Sequence, residues 1–122
     1  MKISRVMHKV IVVDKDITLK QAAKLMSKKK IGSLILIDKN CEIIGILTER
    51  DVLKNVDNLN KKISSVMVRK VVVIDINEEI EDAAKIMSRY KIKRLPVIEN
   101  GKLSGIVTAT DIIANTDGFE TI

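Results

Sequence analysis

The sequence predicts an α+β fold in which two pseudo-symmetric strand–helix–strand–strand–helix repeats pack sheet against sheet into one module. Residues 2–54 align with residues 62–114 once Asn40 and Lys70 are skipped, and 21 of the 52 aligned pairs are identical. Such self-similarity indicates an internal duplication. Hydrophobic residues make up 46% of the 122 residues and aromatic residues 2%, so the core must consist of Ile, Val, Leu, Met and Ala.

The alignment also sets the domain boundaries. We expect the first repeat at residues 2–60, the second at residues 61–115 and a C-terminal tail at residues 116–122. A polar stretch at residues 55–61 joins the copies, with a turn at Asp57-Asn58. One repeat of about 50 residues is too small to bury a sheet well by itself, so the two copies are expected to pack together with clefts between them.

In the first copy, a short amphipathic turn at residues 3–7 precedes a β-branched strand at residues 10–13. Thr18 and Gln21 have the spacing of a capping box and predict a helix start at this point. The apolar stripe of this helix consists of Leu19, Ala22, Ala23 and Met26. Lys28-Lys29-Lys30 closes the helix, where cations suit the negative end of its dipole.

Two strands follow at residues 34–37 and 42–47, joined by a turn at residues 38–41, and a short helix starts at Thr48. The second copy has the same order. There Asn77 is the expected helix N-cap, with Glu78 and Glu79 in the first turn. Its predicted stripe consists of Ile80, Ala83, Ala84 and Met87. Asn-Gly in the turn at residues 99–102 is a strong hairpin signal, and the last helix starts at Thr108.

Few residues suggest catalysis. The single histidine, His8, has no evident carboxylate partner and is replaced by Val68 in the second copy, which favours a surface position. The single cysteine, Cys41, lies in a predicted turn without a neighbouring histidine and cannot form an internal disulfide. The chain has no zinc-type Cys/His cluster and no Gly-rich phosphate loop. We therefore expect no enzyme activity, no metal and no required cofactor.

Location and charge give weaker indications. The chain has no apolar run near 18 residues and no signal peptide, so we expect a cytoplasmic protein with no membrane association. Its net charge is +6, and residues 1–61 carry all of that excess, with 13 Lys and Arg against 7 Asp and Glu. Such an excess is typical of solvated lysines, but it also suits binding of an anion such as phosphate or nucleic acid.

The most informative residues are Thr48 with Asp51 and Thr108 with Asp111, which follow a Gly-Ile-containing strand at the same offset in each copy. Thr-x-x-Asp is a capping box that needs no ligand. The same pattern also suits a nucleotide, because a helix N-terminus offers free N–H groups to phosphate and the Asp accepts hydrogen bonds from ribose hydroxyls. Both interpretations stay open from the residues alone.

The doubled pattern resembles a tandem pair of CBS domains, a module named after cystathionine β-synthase and also called a Bateman module. Residues 45–51 and 105–111 carry the resemblance, supported by residues 31–37 and 92–98. The resemblance implies a standalone regulatory protein that binds AMP, ADP, ATP or S-adenosylmethionine in clefts between the repeats and signals to a partner protein. It also implies a homodimer formed through helices that flank the sheets.

Site residues follow from the resemblance by position. In cleft 1 the implied ligand-binding residues are Val10, Ile11, Gly32, Ser33, Thr48, Arg50 and Asp51. In cleft 2 they are Val71, Val72, Lys93, Arg94, Leu95, Pro96, Thr108, Thr110 and Asp111. The paired valine and isoleucine positions are implied to contact the base, and the Asp residues the ribose. Arg50 supplies a phosphate-binding cation or an ion pair with Asp51 in cleft 1, and Arg94 supplies the cation in cleft 2.

We expect cleft 2 to be the better-formed site, because it has hydroxyls at both Thr108 and Thr110. Two alternatives remain. A nucleic-acid-binding protein would use the basic N-terminal half, although two aromatic residues offer little base stacking. A ligand-free scaffold would use Thr-x-x-Asp only as a helix cap.

Overall fold

The computed structural model describes residues 1–115 and divides into two compact units. The central unit is Ile11–Val71, and the terminal unit combines Met1–Val10 with the chain from Val72 onward. These units differ from the repeat boundaries, because each unit contains the first ten or so residues of the other repeat. The predicted tail at residues 116–122 lies outside the described residues.

The central unit contains one three-stranded sheet and two helices. Its elements are β1 (Val12–Val13), α1 (Leu19–Lys29), β2 (Ser33–Ile37), β3 (Ile43–Thr48) and α2 (Glu49–Lys54). The strand order is β1-β2-β3, with β1 parallel and β3 antiparallel to β2. A 3₁₀ turn at Ile63–Ser65 ends the unit's secondary structure. The predicted order strand–helix–strand–strand–helix is therefore confirmed.

The terminal unit repeats this arrangement. Its elements are β4 (Ile74–Asp75), α3 (Ile80–Tyr90), β5 (Arg94–Glu99), β6 (Lys102–Thr108) and α4 (Ala109–Ala114), preceded by a 3₁₀ turn at Ile3–Arg5. The order is β4-β5-β6, with the same directions as in the central unit. The two mixed sheets confirm the predicted α+β class. The packing of one sheet against the other stays a prediction.

The core of each unit is formed by its sheet, its long helix and a leading segment, which is the first part of the other repeat. The leading segment is Met1–Val10 in the terminal unit and residues 61–71 in the central unit. The central core consists of Leu19, Ala22, Met26, Leu34, Leu36, Leu47, Ile63 and Met67. The terminal core consists of Ile3, Ile74, Ile80, Ala83, Met87, Leu95, Val97 and Val107. Ile63 and Ile3 come from the exchanged segments, so these segments are integral to the units that receive them.

Helix α1 begins and ends as predicted. Gln21 N–H donates to the hydroxyl of Thr18, and Thr18 N–H donates to Oε1 of Gln21, so the capping box is complete. Lys30 adopts the left-handed conformation that commonly ends helices. Ala22 and Met26 of the predicted stripe are buried, and Ala23 is half-buried.

Helix α3 begins differently from the prediction. Its N-cap is Glu79, not Asn77, and Glu79 N–H donates to Oδ2 of Asp82 at 3.0 Å. Asn77 instead lies in a turn, where its N–H donates to Oδ1 of Asp75. In both long helices the N-cap is the residue directly before the first apolar residue of the helix. In the second copy that residue is Glu79, which aligns with Thr18, and the prediction of Asn77 was therefore wrong. Ala84 was also wrongly placed in the apolar stripe, since it is exposed.

The first strand of each copy is shorter than expected. Residues 10–13 were predicted, but only Val12–Val13 pair with β2, because residues 10 and 11 have no partner strand. The hairpin prediction is confirmed, since Asn100 and Gly101 both have positive φ. Within residues 1–115, no helix combines the length and apolar character needed to cross a membrane.

Candidate functional site

Asp51 caps the helix that it helps to begin. Oδ2 of Asp51 accepts hydrogen bonds from the N–H and the hydroxyl of Thr48, at 2.9 and 3.0 Å. In return, Asp51 N–H donates to the Thr48 hydroxyl oxygen at 3.4 Å. Asn55 Nδ2 donates to the Asp51 carbonyl and closes the other end of the short helix. The capping role of this motif is therefore confirmed.

Asp111 repeats this geometry in the terminal unit. Its Oδ2 accepts from the N–H and the hydroxyl of Thr108, both at 2.8 Å, and its own N–H donates back to that hydroxyl at 3.3 Å. Asn115 takes the place of Asn55. Both motifs thus fix their carboxylate through one oxygen, and no residue within 1–115 donates to the other oxygen, Oδ1.

Asp111 has a further partner that the sequence did not reveal. Nε2 of His8 lies 2.6 Å from Oδ2 of Asp111, so the expectation that His8 has no carboxylate partner was wrong. The two residues are 103 positions apart, and they meet because the leading segment pairs with β6. His8 N–H donates to the Ile106 carbonyl and Ile106 N–H donates to the His8 carbonyl, both at 3.0 Å.

Hydrogen bonding keeps Asp111 ionised. Burial raises the pKa of the Asp111 carboxyl, since its side chain is only 20% exposed. Hydrogen bonds from the Thr108 N–H, from His8 and from the Thr108 hydroxyl act in the opposite direction and prevail. The pKa of Asp111 therefore lies below its ordinary value, and the group is a carboxylate at neutral pH.

The helix starts offer fewer free N–H groups than expected. Ala109 N–H, the first of α4, donates to the Lys93 carbonyl at 2.8 Å, and Glu49 N–H, the first of α2, donates to the Gly32 carbonyl at 3.1 Å. The third N–H of each helix is used by the capping threonine. Two of the first three N–H groups of each helix are therefore already used within residues 1–115.

The exchanged leading segments also change which predicted residues lie together. Val10, which is implied for cleft 1, lies in the terminal unit, and Val71, which is implied for cleft 2, lies in the central unit. The reason is that residues near Val10 pair with β6, whereas Val68 exchanges backbone hydrogen bonds with Ile46 of β3. The implied contacts of Val10 and Val71 with a ligand stay predictions.

Ile11 and Val72 remain with their assigned motifs. Both side chains are half-buried, Ile11 against the central core and Val72 against the terminal core. Gly32 and Ser33 lie beside the start of α2, since Ser33 pairs with Thr48. Ser33 is itself buried, with 8% of its surface exposed.

Other predicted site residues differ in accessibility. Leu95 is completely buried in the terminal core and Pro96 is also fully buried, so neither side chain offers a surface to a ligand. Arg94 is half-buried opposite Thr108, Lys93 is exposed, and Thr110 is exposed. In the described part of the chain Arg50 is exposed and forms no ion pair with Asp51, so that predicted alternative was wrong.

No metal site was found in the portion that the structure describes, where no three His, Cys, Asp or Glu side chains are grouped to hold an ion. Cys41 is an exposed free thiol with positive φ in the β2–β3 turn. The chemical content of both motifs is therefore a carboxyl group, hydroxyls and backbone N–H groups.

Comparison with known proteins identifies the family. The CBS domain model matches residues 3–58 and 63–117. The chain is 36% identical over 107 residues to uncharacterized protein MJ1232 of Methanocaldococcus jannaschii and 31% identical over 106 residues to inosine-5'-monophosphate dehydrogenase of Nitrosopumilus maritimus. These matches cover 87% and 86% of this chain, but only 36% and 22% of the two relatives.

A solved structure shows the same fold over nearly the whole chain. It is the CBS domain pair of protein MJ0100 in complex with 5'-methylthioadenosine and S-adenosyl-L-methionine. The TM-score is 0.86 and the identity 29%, with 93% of this chain and 94% of that chain covered. Two matched repeats and this shared fold show that the chain belongs to the CBS domain family, as a tandem CBS pair.

Proposed function

We propose that this CBS pair is a regulatory module that binds an adenosine-containing ligand at its Thr-x-x-Asp motifs and has no catalytic activity of its own. The candidate ligands are AMP, ADP, ATP and S-adenosylmethionine. One observation carries the proposal. Asp51 and Asp111 each use Oδ2 for the helix cap, while Oδ1 has no donor within residues 1–115. A ribose hydroxyl is a donor of the kind that this oxygen lacks.

The ligands of the MJ0100 pair support an adenosine compound in particular. That protein, 29% identical to this chain, was solved with 5'-methylthioadenosine and S-adenosyl-L-methionine. Both molecules contain an adenosine group and neither contains a phosphate. The shared adenosine is therefore the part of the ligand for which the proposed site must provide contacts.

Each part of the ligand has suitable neighbours in one unit. In the terminal unit, Asp111 accepts from the ribose and the half-buried Val72 offers an apolar surface to the base. We assign the polar end of the ligand to Thr110, whose side chain is exposed. Arg94, opposite Thr108, supplies a positive charge if that end is a phosphate.

Regulation requires a second protein, and we propose that the chain acts on a separate target in the cytoplasm. A ligand shifts a conformational equilibrium only to the extent that it binds one state better than the other. We also propose a homodimer formed through the short helices. Leu53 of α2 and Ile113 of α4 are 71% and 70% exposed, which is unusual for large apolar side chains. Sedimentation of wild-type protein and of Leu53→Lys tests the dimer.

Ligand-dependent thermal stability tests the proposed function. Wild-type protein is heated with AMP, ADP, ATP, S-adenosylmethionine, 5'-methylthioadenosine or NAD. A ligand at a hundred times its Kd stabilises the native state by about 2.7 kcal/mol, which is a rise of several degrees in Tm. Asp51→Asn and Asp111→Asn should each reduce that rise, because the amide oxygen keeps the cap while the carboxylate charge is lost.

Asp57→Asn is the matched control, since Asp57 is exposed in the linker and belongs to neither motif. If no compound shifts Tm, the proposed function is wrong and the motifs are helix caps in a ligand-free scaffold. Binding of nucleic acid that weakens steeply with salt, and that is unchanged in Asp111→Asn, would instead support the nucleic-acid alternative.

A further inference from the structure

His8 makes the two motif carboxylates unequal. Oδ2 of Asp111 has three close partners, namely the N–H and hydroxyl of Thr108 and Nε2 of His8. Oδ2 of Asp51 has only the two from Thr48. The position equivalent to His8 in the second repeat is Val68. Its N–H and its carbonyl make the corresponding pair of backbone hydrogen bonds with Ile46 of β3, both at 2.9 Å. The difference in the hydrogen-bond partners of the two carboxylates is therefore one side chain on an otherwise matched backbone.

His8 covers a carboxylate that is already largely enclosed. The Asp111 side chain is 20% exposed, whereas the His8 side chain is 54% exposed. The imidazole thus lies on the solvent side of the pair and has room to move away. Within the described residues, His8 is the only charged or titratable side chain that forms an ion pair or hydrogen bond with Asp111 apart from the cap itself.

His8 forms an ion pair with Asp111 only when its imidazole is protonated. A histidine is the side chain that ordinarily changes charge between about pH 5 and 8, and His8 is the single histidine of the chain. The other charged side chains on the leading segment, β5, β6 and α3 are Lys2, Arg5, Lys9, Arg94, Glu99, Lys102, Glu81, Asp82, Lys85 and Arg89, with Lys93 directly before β5. Carboxyl groups ordinarily titrate below this range. Lysine and arginine side chains ordinarily keep their charge over this range. The hydrogen bond to Glu79 raises the pKa of the Met1 amino group above its ordinary value.

We propose that His8 competes with an adenosine ligand for Asp111, and that it competes more strongly when protonated. The inference rests on the proposed function, because the competitor is the ribose of the ligand. A protonated imidazole holds Oδ2 by a charge-assisted hydrogen bond, which is roughly twice as strong as a neutral one. Its positive charge also weakens Oδ1, the oxygen proposed for the ribose, as a hydrogen-bond acceptor. Binding at Asp111 therefore strengthens as the pH rises, while binding at Asp51 does not depend on pH in this way.

Calorimetric titration with 5'-methylthioadenosine tests the inference, because this probe has no group that titrates between about pH 5.5 and 8. The Asp51→Asn background isolates the Asp111 site. There we expect the affinity to rise about fivefold from about pH 5.5 to about pH 8. His8→Val, which copies Val68, should bind equally at both pH values and at least as tightly as the parent at pH 8. His8→Gln, which keeps a donor without a titrating charge, should also be independent of pH.

The reciprocal variant transfers the effect to the other motif. Val68→His in the Asp111→Asn background should make binding at Asp51 weaker at about pH 5.5 than at about pH 8. The pair is also tested without ligand by a ¹³C NMR titration of the Asp111 carboxyl. Its pKa should rise towards the ordinary value in His8→Val, because one of the hydrogen bonds that lower it is removed.

The outcomes separate the two proposals. Binding that does not change with pH, or that weakens as the pH rises, overturns the competition by His8 and leaves the proposed function intact. The competition is also overturned if His8→Val keeps the pH dependence or leaves the pKa of Asp111 unchanged. Absence of binding by every variant at both pH values contradicts the proposed function for this ligand, and the competition with it.

Discussion

Gly105→Ala should destabilise the protein by forcing the leading segment away from β6. A Cβ atom at Gly105 would lie 2.9 Å from the His8 carbonyl oxygen and 3.1 Å from the sulfur of Met7. The His8 oxygen cannot retreat freely, because it accepts the hydrogen bond from Ile106 N–H at 3.0 Å. The added methyl group must therefore displace backbone and weaken that bond.

The cost follows from two opposing effects. Overpacking by one methyl group in a tight site costs about 1–3 kcal/mol. Replacing glycine also restricts the unfolded chain, which returns about 0.4–1 kcal/mol. We expect a net loss of about 1–2 kcal/mol in the free energy of unfolding, or a fall of roughly 3–12 °C in Tm for a chain of this size. Gly45→Ala should cost more, because its Cβ would lie 2.6 Å from the sulfur of the buried Met67.

Thermal and urea unfolding of Gly105→Ala are measured beside Ser104→Ala. Ser104 is the exposed neighbour on the same strand, and its substitution should change stability by less than about 0.5 kcal/mol. The ¹³C titration of Asp111 gives a local readout, since displacement of His8 should raise the pKa of Asp111. Equal Tm values for the two variants, with an unchanged pKa of Asp111, would refute the close approach of the segment to β6.

Three further changes test other parts of the structure. Thr108→Ala removes a helix cap and should lower the free energy of unfolding by about 0.5–2 kcal/mol. Thr108→Ser keeps the capping hydroxyl and should lose much less stability. An equal loss in both variants would contradict the capping role. Hydrogen bonds from Ser64 lower the pKa of Asp16 in the folded state. They therefore stabilise the fold above about pH 4, where Asp16 is ionised in the unfolded chain as well. This stabilisation is lost as the pH falls through the lower pKa of the folded state. In Ser64→Ala, the free energy of unfolding measured in urea should therefore fall less steeply as the pH is lowered below about pH 4. An unchanged pH dependence would contradict the stabilisation of Asp16 by Ser64. Leu47→Ala in the central core should cost about 2–5 kcal/mol, whereas Val56→Ala, at a side chain that is 61% exposed, should unfold almost as the wild type does; similar losses would contradict the burial of Leu47.

Local patterns in the sequence were sufficient to predict most helices and turns. Thr18 with Gln21, and each Thr-x-x-Asp, has both halves of a capping box within four residues, so no distant contact is needed to place it. Asn100-Gly101 likewise determines its own turn through positive φ. The start of helix α3 was not predicted correctly, because its N-cap is Glu79 and glutamate is seldom favoured at an N-cap. The nearby Asn77 has the better propensity but forms a turn with Asp75.

Long-range pairing could not be predicted in the same way. The leading segments have almost the same sequence, Lys-Ile-Ser-x-Val-Met, at residues 2–7 and 62–67. Either one has the apolar residues to pack on either sheet, so the pattern does not say which unit receives which segment. For this reason the contact of His8 with Asp111 was missed.

Exchange of the leading segments has a consequence for how the two motifs diverge. His8, which contacts Asp111, is contributed by the first repeat, and the corresponding position on β3 of the central unit is Val68 of the second repeat. A substitution at His8 in the first repeat therefore alters the motif of the second, while the Thr-x-x-Asp sequence and its helix cap stay intact. One side chain outside the motif is enough to give Asp111 a partner that Asp51 lacks. The glycines at positions 45 and 105 make this arrangement possible, because only a residue without a side chain lets the exchanged segment approach the strand so closely.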